Sequence, residues 1–130
     1  EVRELHGFFV GWLTGALPAS RPSFARFTDA MAPEFRIGHP DGTEEGLPAL
    51  TARLRRAHGA RATQRPAFEI AILSLQVRWV DSERALAAYV ERQLLADRWT
   101  ARRSLAAFRA DPRAPCGVLW TDLQECWIAP

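Results

Sequence analysis

Two glutamates and one tyrosine are the residues of this sequence best suited to acid–base chemistry. Alternate residues of a β-strand share a face, so Tyr89, Glu91 and Gln93 lie together. A later strand segment groups three residues in the same way: Leu123, Glu125 and Trp127. If both groups face a cavity, Glu91 or Glu125 is a candidate general base, and Tyr89 can donate to a developing oxyanion. Burial would raise the pKa of such a carboxyl group toward neutrality.

The same carboxyl groups have an alternative role as structural ion pairs. If one group of residues faces a subunit interface, Glu91 or Glu125 can pair with a nearby arginine: Arg92, Arg102 or Arg103. Ion pairing is the commoner role of such carboxylates. The sequence leaves both roles open.

Histidine and aromatic side chains are candidates for the wall of a ligand pocket. His39, which precedes a turn, is the best placed histidine, although a plain turn residue is the alternative. We expect His6, which is offset from the apolar stripe of its helix, to be solvated or partly packed. We expect His58 to interact with carbonyl groups at a helix end. The candidate pocket residues are Trp12, Phe27, Phe35, His39 and Trp127. Core packing is the alternative for the aromatic ones.

Metal and cofactor sites are not indicated. Cys116 and Cys126 are ten residues apart, with no second pair and no histidine at a ligand spacing. The sequence also lacks a glycine-rich phosphate loop. We therefore expect neither a metal nor a cofactor.

Helices are predicted in the first half of the chain. Apolar residues recur every three or four positions over residues 2–16, as on one side of an amphipathic helix. Ser20 is a suitable cap for a second helix, which we expect to end at Pro33. Residues 34–39 then predict a short strand, and residues 47–58 a third helix.

Four long strands are predicted in the second half, over residues 68–79, 85–95, 99–109 and 118–128. Their short connections require antiparallel neighbours. At ~3.3 Å per residue each strand runs ~35–40 Å, so we expect a curved sheet with a bulge. Both faces of the first strand are apolar, and helices can cover only one face. We therefore expect a homodimer through the other face of the sheet.

Composition places the chain among small globular proteins. Its 130 residues fit a single domain over 1–130, with 48% hydrophobic and 25% charged residues. The net charge is only +2, which gives no basis for a nucleic-acid partner. No apolar run approaches the ~20 residues that span a bilayer, so we expect no membrane association. No signal peptide is visible, so we expect a cytoplasmic location.

Several segments together resemble one superfamily. These are residues 27–35, the Pro40-Asp41-Gly42 turn with the helix after it, Tyr89-Val90-Glu91, and residues 120–127. In this order they resemble the nuclear transport factor 2-like superfamily, which includes ketosteroid isomerase, scytalone dehydratase and SnoaL-type polyketide cyclases. The resemblance covers nearly the whole chain.

The resemblance implies an α+β fold: a cone-shaped half-barrel with three N-terminal helices packed on a curved, mainly antiparallel sheet. Superfamily members use the enclosed pocket for isomerisation, dehydration or cyclisation of lipophilic molecules, or for binding alone. Ketosteroid isomerases use an aspartate base. Here Asp122 is the one aspartate in the body of a long strand, and alternation places it beside Trp120.

The functional expectation is a pocket for a small lipophilic molecule, with SnoaL-like isomerase, cyclase or dehydratase chemistry. The alternative is a non-catalytic dimerisation or association module.

Overall fold

Three helices and six strands make up the structure, a computed structural model that describes all residues from 1 to 130. The helices are α1 (Val2–Thr14), α2 (Arg21–Thr28) and α3 (Leu47–Arg56). The strands are β1 (Met31–Gly38), β2 (Glu44–Gly46), β3 (Glu69–Val80), β4 (Arg84–Leu95), β5 (Arg98–Ala110) and β6 (Val118–Ile128). No helix is both long enough and apolar enough to cross a lipid bilayer.

The helix ends follow local chemistry. The Ser20 hydroxyl accepts a hydrogen bond from the Ser23 backbone N–H and so caps α2. Gly15 ends α1 with φ at 77°, a left-handed conformation that favours glycine. The prediction that α2 continues to Pro33 is wrong, since the helix ends at Thr28. Pro33 instead lies in β1, where the pairing with β6 is irregular between Met31 and Arg36. Proline has no backbone N–H, and at this irregularity no hydrogen bond of the sheet is lost.

A single sheet has the order β2-β1-β6-β5-β4-β3. All neighbours are antiparallel except β1 and β6, which are parallel. The four long strands are confirmed to within one residue of their predicted ends. The expectation of three helices before the sheet is corrected, because α3 follows β1 and β2. The three-residue β2 is too short and too polar to give an alternating pattern.

Two bulges decide which side chains face the helices. In β3 the pairing shifts between Leu73 and Gln76, with Ser74 at φ 54°. Leu75 therefore packs on the core, although plain alternation would place it with Leu73, which is exposed. In this way a bulge exchanges the two faces of a strand.

The prediction that Asp122 shares a face with Trp120 is wrong, because β6 contains a bulge between the two residues. The pairing of β5 with β6 shifts between Ala107 and Phe108, so Trp120 lies opposite Phe108 and Asp122 opposite Ala107. Trp120 is buried against Phe108, whereas Asp122 is exposed on the other face. The two residues do not share a face.

The core lies between the helices and the concave face of the sheet. Trp12 stacks on Phe8, contacts Phe24, and donates a hydrogen bond from Nε1 to the Leu54 carbonyl at 2.7 Å. This bond fixes α3 against α1 and leaves no buried indole N–H unsatisfied.

Candidate functional site

A row of polar side chains crosses three strands on the concave face. The register places Tyr89 of β4 opposite Ser104 of β5, and Ser104 opposite Glu125 of β6. Two residues further along β4, Glu91 lies opposite Arg102 of β5, and Arg102 lies opposite Trp127 of β6. The structure therefore brings the three predicted catalytic residues together on one face.

Glu91 is held in a buried pair with His6 of α1. His6 Nε2 lies 3.1 Å from Glu91 Oε2, while His6 Nδ1 lies 2.7 Å from the Val2 carbonyl oxygen. Gln93 Nε2 donates to Glu91 Oε1 at 2.5 Å. Burial opposes ionisation of Glu91, but the hydrogen bond and charge of His6 outweigh it and hold the pKa of Glu91 below its usual value.

The expectation that His6 is solvated or partly packed is wrong, because its side chain is buried among aromatic rings. His6 is next to Leu5, a member of the apolar stripe, so the helical pattern alone does not reveal a partner on β4. The partner of Glu91 is this histidine and not one of the neighbouring arginines. A strongly paired carboxylate of low pKa is a poor general base.

Glu125 has a different environment, although it shares the same face. Arg102 Nη1 lies 3.4 Å from Glu125 Oε1, and the Ser104 hydroxyl is 3.5 Å from Glu125 Oε2. Burial raises the pKa of Glu125, and the positive charge of Arg102 offsets only part of this effect. Glu125 is therefore better suited than Glu91 to accept and release a proton.

Tyr89 lies between the two carboxyl groups. Its hydroxyl is buried beside Ser104 and makes no hydrogen bond of ordinary geometry. Burial raises the pKa of Tyr89, and the negative charges of Glu91 and Glu125 raise it further. The hydroxyl therefore keeps its proton and has a free donor.

A cavity of about 440 Å³ lies at one end of this row, and we call it the mouth cavity. It is lined by His39, Pro40, Asp41, Thr43, Glu44, Glu45, Arg53, Arg102 and Trp127. Arg102 also contacts Glu125, so it links the cavity to the buried polar row.

Charges inside the mouth cavity are partly paired. Glu45 accepts from Arg53 and lies 2.8 Å from His39 Nε2. Burial opposes ionisation of Glu45, but these two partners hold its pKa below the usual value. The Arg102 guanidinium lies 4.8 Å from the centre of the Trp127 ring, and Nε of Arg102 is buried without a partner.

Two of the five predicted pocket residues, His39 and Trp127, line the mouth cavity. Trp12, Phe27 and Phe35 are buried members of the hydrophobic core and do not line this cavity. Only one lining residue of the mouth cavity is hydrophobic, so its surface is polar. Glu45 and Arg53, which shape this surface, were not predicted as site residues.

A separate cluster of potential metal ligands lies beside the first helix. Glu1, Glu4 and Cys116 have ligand atoms within 4.8 Å of one another. The Arg26 guanidinium lies 2.6 Å from Glu1 and 3.9 Å from Glu4, which places a cation there already. The hydrogen bond from the thiol to Glu4 raises the pKa of Cys116 to about 11, so the thiol stays protonated. Such a thiol is a weak metal ligand.

Comparisons with known proteins give structural matches only. No family model and no curated protein matches the sequence. An NTF-2-like protein of unknown function from Pseudomonas aeruginosa is similar with a TM-score of 0.84 and 22% identity, over 98% of this chain and 95% of the other. An NTF2-like protein of unknown function in nutrient uptake from Rhodospirillum rubrum gives 0.67 and 11%, over 99% of each chain.

A CaMKII hub homology domain from Chlamydomonas reinhardtii is also similar, with a TM-score of 0.67 and 10% identity. The match covers 98% of this chain and 96% of that domain. At these identities the likeness is one of fold, and fold alone does not select a function.

Proposed function

We propose that this chain, which has the nuclear transport factor 2-like fold, binds a small polar organic molecule in the mouth cavity and supports proton transfer on it. The observation that carries this proposal is the position of Arg102. Its guanidinium faces the cavity and also contacts the buried Glu125 carboxyl, whose pKa is raised. A ligand held by Arg102 therefore lies next to a group able to exchange a proton.

The size of the cavity and the Arg102 guanidinium favour a small carboxylate. A volume of about 440 Å³ falls within the range of small-molecule sites, which is roughly 300–1,000 Å³. Arg53 is already paired with Glu45, whereas the terminal nitrogens of Arg102 make only one hydrogen bond, the 3.4 Å contact of Nη1 with Glu125. A carboxylate on the ligand would supply a further acceptor. The Trp127 side chain, 54% exposed, offers an aromatic surface beside it.

The chemistry proposed for this site is general acid–base catalysis. Glu125, which contacts Arg102 of the cavity lining, would remove a proton from the ligand or return one. The Tyr89 hydroxyl is buried outside the lining, so Tyr89 would act as a positioning residue beside Glu125. This chemistry suits isomerisation, cyclisation or dehydration. Glu91 would act as a positioning residue, because its ion pair with His6 fixes β4 against α1.

Titration with benzoate tests the binding proposal. Benzoate combines a carboxylate for Arg102 with a ring for Trp127, and backbone NMR shifts report where it binds. We expect shifts around His39, Arg102 and Trp127, and an affinity at least about tenfold lower in Arg102→Gln. Arg103→Gln, on the exposed side of the same strand, is the matched control. Equal losses in both variants, or shifts confined to other regions, would overturn the proposal.

Self-association is a second candidate function, favoured by the apolar convex face. Three large side chains there remain open to water: Leu73 at 43%, Trp79 at 52% and Leu105 at 42% exposure. A second copy of the chain covering this face would remove them from water. One structural neighbour is a hub homology domain, which is compatible with such a role. Native mass spectrometry counts the subunits directly, and a monomer at all accessible concentrations would contradict it.

A further inference from the structure

A second cavity, of about 270 Å³, lies at the other end of the concave face. Its lining is Glu1, Val2, Arg3, Leu75, Val77, Ala85, Ala87, Phe108 and Val118, and we call it the apolar cavity. It shares no residue with the mouth cavity. Along β5, Phe108 is six residues from Arg102, a distance of about 20 Å. The two cavities are separate sites.

The apolar cavity is open because of small side chains on β4 and the bulge in β3. Ala85 and Ala87 lie in its lining, and each leaves space that a larger apolar residue would fill. The bulge at Ser74 turns Leu75 and Val77 toward the same space. Seven of the nine lining residues are hydrophobic, so the site excludes a polar occupant.

Hydrophobic surface at this site stays in contact with water. Val77 is 66% exposed, although it belongs to the cavity lining. An apolar group entering the cavity would cover this surface, which is the main driving force for binding at such a site.

The charged residues at the rim of the cavity determine which polar group a ligand can carry there. Glu1 is already bound by Arg26 at 2.6 Å and by the Trp120 indole N–H at 3.0 Å. Arg3 is exposed and uses one nitrogen to donate to the Ile72 carbonyl at 3.1 Å, which leaves its other N–H groups free. The free charge at the rim is therefore positive.

We propose that the apolar cavity binds a medium-chain fatty acid, with the hydrocarbon chain against Ala85, Ala87 and Phe108 and the carboxylate at Arg3. The cavity is slightly smaller than the roughly 300 Å³ at which drug-sized sites begin. A single unbranched chain fits this volume better than a fused ring system. This inference does not depend on the function proposed for the mouth cavity.

Binding of octanoate to the full chain tests the proposal, with 1-octanol as the uncharged probe. Octanoate should shift the methyl NMR signals of Ala85 and Ala87. Ala85→Leu should lower its affinity about tenfold, because the new side chain occupies the cavity. Ala88→Leu places the same side chain on the opposite face of β4 and should leave the affinity unchanged. Ala87→Val provides a smaller second filling variant if Ala85→Leu folds poorly.

Arg3→Gln tests the contribution of the ligand's carboxylate separately from that of its hydrocarbon chain. It should weaken octanoate roughly two- to fivefold, as expected for an exposed ion pair, and leave 1-octanol unaffected. The proposal is overturned if octanoate leaves both alanine methyl signals in place, if Ala88→Leu is as harmful as Ala85→Leu, or if Arg3→Gln weakens neither probe. A shift of the methyl signals with protein concentration, when no octanoate is present, would show that a second copy of the chain occupies the cavity. That result would also overturn the proposal.

Discussion

Glu91 and Glu125 differ in acidity because their neighbours differ. Both carboxyl groups lie on the concave face, and burial opposes ionisation of each. Glu91 has His6 and Gln93 as close partners, which stabilise its charged form. Glu125 has only longer contacts, at 3.4 Å to Arg102 and 3.5 Å to Ser104. Two carboxyl groups with opposite shifts can take different roles, one structural and one in proton transfer.

Removing His6 should destabilise the fold. His6→Ala would leave Glu91 buried without its partner, and breaking a buried pair in this way costs about 3–5 kcal/mol. His58→Ala, which removes a hydrogen bond to the Leu17 carbonyl, should cost only about 1 kcal/mol. Urea denaturation at neutral pH measures both free energies of unfolding. Equal losses in the two variants would show that the pair contributes no more than an ordinary hydrogen bond.

The His6–Glu91 pair also predicts how stability depends on pH. Because folding lowers the pKa of Glu91, the unfolded chain binds more protons than the folded one between the two pKa values. The stabilisation is therefore complete above the ordinary value of 4.5 and declines as the pH falls through the lowered pKa. Glu91→Gln should remove this part of the acid dependence. A series of urea titrations from neutral pH to pH ~3 measures it, and an unchanged dependence in the variant would contradict the assignment.

Arg102 should hold down the pKa of Glu125. Burial raises this pKa and Arg102 lowers it, so Arg102→Gln should raise it further. Carbon-13 NMR of the glutamate carboxyl groups follows the titration of Glu125 directly. In Arg103→Gln, where the arginine faces the other side of β5, the titration should match that of the unmodified chain. A lower pKa in Arg102→Gln would contradict the proposed link between cavity and carboxyl group.

Secondary structure was predictable where hydrophobic periodicity was strong. The four long strands follow from alternating Val, Ile, Leu and aromatic residues, and their ends are confirmed. β2 was not predicted, since three residues cannot display a period. A bulge was expected, but not its position at Ser74, because serine at φ 54° leaves no mark on the pattern.

The candidate site was predictable only within single strands. Alternation put Tyr89 with Glu91, and it grouped Glu125 with Trp127. In the structure, the pairing of β5 with β4 and β6 brings these two groups together, with Ser104 and Arg102 lying between them. The contribution of His6 depends on how α1 crosses β4, which no local pattern encodes.

The turn between β4 and β5 offers a test at the level of one element. Ala96 has φ at 57°, in the left-handed region that costs a side chain roughly 1 kcal/mol. Ala96→Gly should remove this strain and stabilise the protein by up to about 1 kcal/mol, seen as a higher Tm. Ala106→Gly, inside β5, should destabilise it. A lower Tm for Ala96→Gly would show that the turn carries no such strain.

At the scale of the whole molecule, the sequence resemblance to the nuclear transport factor 2-like superfamily is confirmed as a likeness of fold. The helices cover only the concave face of the sheet, and the convex face keeps its exposed apolar residues. The same architecture therefore serves both proposed functions, a cavity on one side and an association surface on the other.

A single charge on the convex face should prevent self-association. Leu105→Arg places a guanidinium in the apolar patch, where a second copy would bury it without a partner. We expect a dimer for the unmodified chain and a monomer for the variant, measured by light scattering over about 1–100 µM. Val80→Arg adds the same charge on the other side of the sheet and should leave the dimer intact. Dimers in all three proteins would exclude the convex face as the interface.

The parallel pairing of β1 with β6 has a consequence for the order in which the protein can form during synthesis. Ile37 pairs with Leu123, and the core around Phe27 and Phe35 includes Trp120. A nascent chain therefore exposes one edge of β1, and the part of the core that Trp120 covers, until the last strand has left the ribosome. Binding by a chaperone that recognises apolar segments would be most useful in this interval, which ends only when translation of the domain is complete.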